Sequence, residues 1–175
     1  TGVTMGVAPE AHILSIRVLG EDGIGTYEDV IEGIQYAVKN KDEYGIRILN
    51  MSILGKATTP YFVDPVNRAV EAAWKQGIVV VTAAGNKGPS AETITVPGND
   101  PYVITVGAVD TNDTAGLRSD DSIPSWSSTG PTLDGFIKPD VLAPGTNVDS
   151  YMYNDDKKKS KSSFLVRHHP DYDKK

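Results

Sequence analysis

The sequence predicts an α/β domain built on a mostly parallel sheet, and three observations carry that prediction. Apolar runs of strand length alternate with segments of helical period, the joins between them are short, and the run at 78–84 lacks the one-in-two alternation of a half-exposed strand. Strand, helix, strand, helix, strand with short joins is the pattern of parallel strands linked by crossover helices.

Residues 12–19, His-Ile-Leu-Ser-Ile-Arg-Val-Leu, form the first expected strand, broken by Gly20, Gly23 and Gly25. Thr26 then suits a helix N-cap, with Glu28 and Asp29 in the first turn, where negative charge complements the helix dipole. Val30, Ile31, Ile34, Ala37 and Val38 recur at helical spacing as far as about Asn40 and predict one buried stripe. Residues 46–54 are a second run of strand length. Asp64 as cap and Pro65 at the first helical position, where a missing N–H costs nothing, start a second helix. Its expected buried face is Val66, Ala69, Val70, Ala73 and Trp74, and Gly77 stands where a C-terminal glycine belongs. Residues 78–84 are a third strand, rich in β-branched residues and without one-in-two alternation, which predicts burial of both its faces. Further strands are expected at 102–109 and 140–143, with a polar, loop-rich stretch at 111–128 between them. No internal repeat is visible.

At 175 residues the chain suits one domain. The absence of cysteine excludes disulfides, thiolate metal sites and a Cys nucleophile. Residues 1–153 hold 10 Lys and Arg against 19 Asp and Glu, a net −9, whereas the remaining 22 residues carry +3. An acidic body argues against nucleic acid as partner, since phosphate binding needs clustered Lys and Arg. No apolar run approaches the ~20 residues that span a bilayer, so no membrane partner is expected. The residues following Thr1 show no basic-then-apolar leader, so no signal peptide is expected within them. From Asn154 the sequence turns to Lys, Asp, Ser and His without sustained period. Residues 149–175 are therefore expected to be a polar tail, disordered or the product of a shifted reading frame, with a native insertion as the competing account.

Chemistry concentrates at the end of the third strand, Ala83-Ala84-Gly85-Asn86. Open parallel sheets bind ligands beyond the carboxyl ends of their strands. An Asn there offers its amide N–H to a ligand above the sheet, and Gly85 lets the backbone turn closely past it. By itself Gly-Asn is also a common way to end a strand. Around it, in order, stand Gly6-Val7-Ala8-Pro9-Glu10-Ala11, Ile48-Leu49-Asn50-Met51-Ser52, Val96-Pro97-Gly98, Val106-Gly107-Ala108-Val109, Trp126-Ser127-Ser128-Thr129-Gly130-Pro131 and Lys138-Pro139-Asp140-Val141-Leu142-Ala143-Pro144-Gly145. Together these closely resemble the subtilisin family of serine proteases, from about Gly2 to Val148. The resemblance implies a three-layer αβα fold, with residues 1–148 as the central part of a peptidase domain.

It also implies roles. Asn86 matches the oxyanion-hole Asn of that family. Gly23, Ile24 and Gly25 match the edge that pairs with a bound peptide. Ser52, Ile53, Leu54 and Gly55 match the opposite wall of the cleft, although Leu54 stands where many relatives carry a small Gly. Ala83, Ala84 and Gly85 match the far side of the first specificity pocket, Thr95 falls near its base, and Tyr27, Val30 and Ile53 would line an apolar pocket further along. The family's Asp-Thr-Gly, His-Gly-Thr-His and Gly-Thr-Ser-Met-Ala segments do not occur in the 175 residues. The resemblance thus implies a serine endopeptidase as the parent, acting on protein or peptide substrates and secreted rather than cytoplasmic, while this chain itself is expected to be inactive. The alternative is a peptide-binding relative that never carries the triad. Calcium is implied by the resemblance alone; no acidic loop has the ligand spacing to name a metal site.

His12 is expected on a strand surface. His168 and His169 lack a third ligand at metal-binding spacing, Ser162 and Ser163 lack a partner base, and Asp140 is expected to hydrogen-bond within the fold. A nucleotide-binding reading of residues 20–25 fails because Glu28 stands where the third Gly of the dinucleotide pattern is required, and no Walker Gly-Lys-Ser/Thr occurs.

Overall fold

The computed structural model describes residues 6–114 and 116–148, so the expected tail at 149–175 lies outside the described residues. The described residues fall into two units, Tyr27–Asn147 and a second that holds residues 6–26 with Val148.

In the larger unit, helix α1 spans Tyr27–Lys39 and buries Val30, Ile34 and Ala37, the centre of the predicted stripe. A short helix α2, Lys41–Tyr44, follows and ends at Gly45 in the left-handed region, φ 64°. Strand β1 is Ile48–Met51, shorter than the apolar run that announced it. Helix α3, Pro65–Lys75, begins as its sequence prescribes: Asp64 accepts hydrogen bonds from the amides of Val66 (2.9 Å) and Asn67 (3.1 Å), two of the orphan donors of the first turn. Its inner face is Val66, Asn67, Val70 and Ala73. Trp74 is 41% exposed, so its predicted burial is corrected: it lies one residue beyond Ala73, 100° round the helix from the buried stripe. Strands β2 (Val79–Ala83), β3 (Ile104–Val109) and β4 (Val141–Pro144) complete a parallel sheet of order β1-β2-β3-β4.

Register defines the two faces of that sheet. Met51, Thr82 and Thr105 align on the face against which α3 and then α1 pack, and Val80 beside them is fully buried. Ile48 with Val79, Val81 with Ile104, and Val106 with Val141 align on the other face. There Ile48 is 62% and Val141 50% exposed. The reading of the third strand as buried on both faces is thereby corrected: burial along β2 alternates, Val80 and Thr82 inside, Val79 exposed.

In the smaller unit, residues 11–18 make no ladder and are not a strand. A strand exists only by hydrogen bonding to a neighbour, and none of the described residues supplies one. His12 is exposed there. Gly20–Ile24 form a tight turn, closed by the Gly20 amide donating to the Ile24 carbonyl (2.8 Å) and the Gly23 amide to the Gly20 carbonyl (3.1 Å).

Candidate active site

The site is built where the parallel strands end. After β2, the Ala84 amide still donates to Val106 of β3 (2.9 Å), while the Ala84 carbonyl accepts from both the amide (3.0 Å) and the hydroxyl (3.1 Å) of Thr95. Gly85 then turns the chain at φ 121°, a conformation L side chains avoid. A Cβ there would sit 2.7 Å from Ser128 Oγ and 2.8 Å from Thr95 Cγ2. Past that turn Asn86 is exposed, and its side-chain amide makes no hydrogen bond among the described residues. Residues flanking it are held: Gly85 carbonyl by the Ser128 amide (3.0 Å), Lys87 amide by Ser128 Oγ (3.0 Å), and Gly88 amide by the Trp126 carbonyl (3.0 Å).

A cavity of about 280 Å³ lies beside this turn, across the carboxyl ends of all four strands. Of the residues singled out from the sequence, Ser52, Ala83, Ala84, Gly85 and Asn86 line it together. Asn50 and Trp126 line it too. Both stand in the motifs quoted above, and Asn50 sits at a face-alternating position of β1, a signal the sequence offered. Asn50 Nδ2 lies 3.5 Å from Ser52 Oγ.

The remaining assignments fall elsewhere. Thr95 is buried with its hydroxyl turned to Ala84, and Val30 is 7% exposed, part of the α1 core. Ile53 and Leu54 lie past the end of β1, half-buried and 45% exposed respectively, so neither is strand core. Gly55 makes an antiparallel bridge with Val96, its amide donating to the Val96 carbonyl at 2.8 Å; a Cβ on it would meet Tyr27 Oη at 3.0 Å. The Tyr27 hydroxyl donates to Asp64 Oδ2 (3.3 Å), and burial, then the Asp64 charge, raises its pKa above the usual phenol value. Gly23, Ile24 and Gly25 belong to the smaller unit. There the Ile24 amide is spent on Asp22 Oδ1 (3.0 Å), and a side chain on Gly25 would collide with the Val18 carbonyl.

Behind the site a polar knot ties β3 to β4. Lys138, 5% exposed, donates from Nζ to the Val103 carbonyl (2.8 Å) and to Asp140 Oδ2 (2.7 Å), which also accepts from the Thr105 amide (2.7 Å). Asp140 thus bonds within the fold. Among the described residues, no three His, Cys, Asp or Glu side chains converge as metal ligands. No described helix is long and apolar enough to cross a membrane.

Residues 1–172 match the model of the subtilase family. Serine protease AprX of Bacillus subtilis is 47% identical over 156 residues, covering 86% of this chain and 35% of that protein. Subtilisin DY of Bacillus licheniformis is 40% identical over 152 residues, covering 86% and 47%. Among solved structures, Sphericase superposes with a TM-score of 0.70 at 30% identity, covering 85% of this chain and 48% of that one. The chain therefore spans less than half of each of these relatives. The likeness shows the three-layer α/β fold expected from the motifs, and the match along 172 residues settles the family: this chain belongs to the subtilases.

Proposed function

We propose that the full-length protein is a serine endopeptidase that cleaves peptide bonds by acyl transfer, and that these 175 residues supply its oxyanion donor and part of its substrate cleft. The observation that carries this reading is the Asn86 amide, exposed and unbonded on a fixed turn beside the cavity at the strand ends. When a serine oxygen adds to the scissile carbonyl, negative charge gathers on the carbonyl oxygen. A preorganised amide N–H aimed at it stabilises that state without reorganising. The tetrahedral intermediate collapses to an acyl-enzyme as the amine leaves with a proton, and water then attacks that ester, releasing the acid and restoring the serine.

Ala83, Ala84 and Gly85 with Ser52 face the same cavity and would hold substrate on either side of Asn86. Gly23, Ile24 and Gly25 would pair with a peptide, and Tyr27, Val30, Ile53, Leu54, Gly55 and Thr95 would shape the flanking walls. Residues 1–148 would be the peptidase part and 149–175 a polar tail. The parent would be secreted, with protein or peptide as substrate. Because the nucleophile, base and orienting Asp segments are absent from Thr1–Lys175, these residues alone are inactive in this reading.

The test is turnover of a chromogenic peptide by the full-length protein and its Asn86→Ala variant. A fall in kcat of roughly 10²–10³, the magnitude known for losing this donor in a subtilisin, with KM little changed, is expected. If the intact protein binds peptides but neither turns them over nor reacts with a fluorophosphonate, the peptide-binding alternative replaces this one.

A further inference from the structure

We propose that Ser128 is a positioning residue for Asn86, acting through the backbone on both sides of it; the inference rests on the oxyanion role just proposed. Asn86 has no side-chain bond of its own among the described residues, so the direction of its amide is set by the turn that carries it. One residue grips that turn twice. The Ser128 amide donates to the Gly85 carbonyl and Ser128 Oγ accepts from the Lys87 amide, each at 3.0 Å, so both peptide units adjoining Asn86 are pinned to a single side chain and its own backbone.

The clamp is itself anchored. Ser128 is 1% exposed, and neighbouring Ser127, 2% exposed, accepts the Ala108 amide of β3 on its Oγ at 3.0 Å. Trp126 takes the Gly88 amide on its carbonyl. Residues 126–128 therefore form a strap from the sheet to the Asn86 turn. Its two grips differ chemically. The amide of residue 128 survives any substitution except Pro, whereas the Lys87 grip needs a side-chain acceptor at the γ position. Removing Oγ frees the residue after Asn86 while leaving the residue before it held, which predicts a misaimed amide rather than a collapsed turn. Gly85 fits the same account, since a Cβ there would press on Ser128 Oγ.

A double-mutant cycle in the full-length protein tests this: Ser128→Ala, Asn86→Ala and both together, followed by kcat and KM on a peptide substrate and by thermal unfolding. Misplacing a catalytic donor by a fraction of an ångström to an ångström costs about 10- to 100-fold in rate. Ser128→Ala is expected to lower kcat by that factor with KM within about twofold. In the Asn86→Ala background the same change should alter kcat less than about twofold, because there is no amide left to aim. Equal losses in both backgrounds, or a loss confined to KM, would overturn the proposal and leave Ser128 a structural or pocket residue. If Asn86→Ala itself leaves kcat intact, the oxyanion reading fails and this one with it; a large Asn86 effect beside a silent Ser128 sinks this one alone. Should Ser128→Ala not fold, Ser128→Cys keeps the volume with a poor acceptor. It should show the same non-additive loss together with faster hydrogen exchange at the Lys87 amide; unchanged exchange would refute the clamp.

Discussion

Asp100 is fully buried, and its two oxygens are treated unequally. Oδ1 accepts the Tyr102 amide at 2.8 Å, while Oδ2 has no partner. Burial pushes its pKa from 3.8 up to about 6; the Tyr102 amide opposes the rise, Glu71 adds to it, Lys138 opposes and Asp64 adds. A folded-state value above the unfolded one means that the native protein holds this proton more tightly. The associated stability is fully present below about 3.8 and is lost as pH rises through about 6. About two units correspond to ~3 kcal/mol at the limit. Asp100→Asn removes the titration and keeps the Oδ1 acceptor. The new NH₂ faces the site that Oδ2 left unpartnered, which contributes a cost of about 1–3 kcal/mol that does not change with pH. The informative quantity is therefore the difference between variant and wild type as a function of pH. Urea unfolding of both proteins between pH 4 and 7.5 should show the variant gaining on the order of 2–3 kcal/mol over that range, with most of the gain between pH 4 and 6.5. Other carboxylates titrate in both proteins and cancel. A difference that stays flat with pH, or runs the other way, would refute the assignment of a raised pKa to this buried carboxyl.

Four further substitutions probe the scaffold of the site. Gly85→Ala combines a disfavoured φ of 121° with a Cβ 2.7 Å from Ser128 Oγ and should destabilise by roughly 2–5 kcal/mol; a loss below about 1 kcal/mol in urea titration would mean that the turn relaxes. Lys138→Met leaves the Val103 carbonyl without its donor and should cost about 1–3 kcal/mol; Asp140 is 40% exposed in its side chain, so solvent already screens that half of the pair. Asp140→Asn, which still accepts from the Thr105 amide, should cost less than Lys138→Met, and the reverse order of melting temperatures would contradict the geometry. Asp64→Ala strips both N-terminal amides of α3 and the Tyr27 hydroxyl of their acceptor. It should cost about 1–2 kcal/mol and bring the Tyr27 phenol back toward its ordinary pKa in a UV titration, whereas an unmoved phenol would assign that shift wholly to burial.

Local rules written into short segments were the most legible. Asp64-Pro65 fixed the start of α3 to the residue because capping and proline chemistry act within three positions. The stripe of α1 was readable because 3.6-residue periodicity is a property of the segment alone. Strand ends were not: β1 stops at Met51 because pairing with β2 stops at Thr82, and register lies in no single segment. The candidate site divides the same way. Gly85-Asn86 at the end of β2 could be named because a strand end is a place that sequence specifies. Ser128 could not, because its bonds to Gly85 and Lys87 join residues more than 40 positions apart.

The third strand shows where sequence and structure describe different extents of protein. Val79-Val80-Val81 carries no polar residue on either side, the composition of a strand enclosed from both faces. In the structure, α3 and α1 enclose the Val80 face. Ile48, Val79, Ile104 and Val141, aligned on the other, are 36% to 62% exposed with no described helix over them. Leaving four large apolar side chains in water forfeits about 1.5–3 kcal/mol for each one fully exposed. Sequence composition responds to the burial a residue meets in the whole folded protein, and this chain covers 35% of AprX and 47% of Subtilisin DY. The bare face carries apolar side chains suited to burial, and the cavity beside Asn86 opens at the strand ends of the same sheet, whose described helices reach only one side.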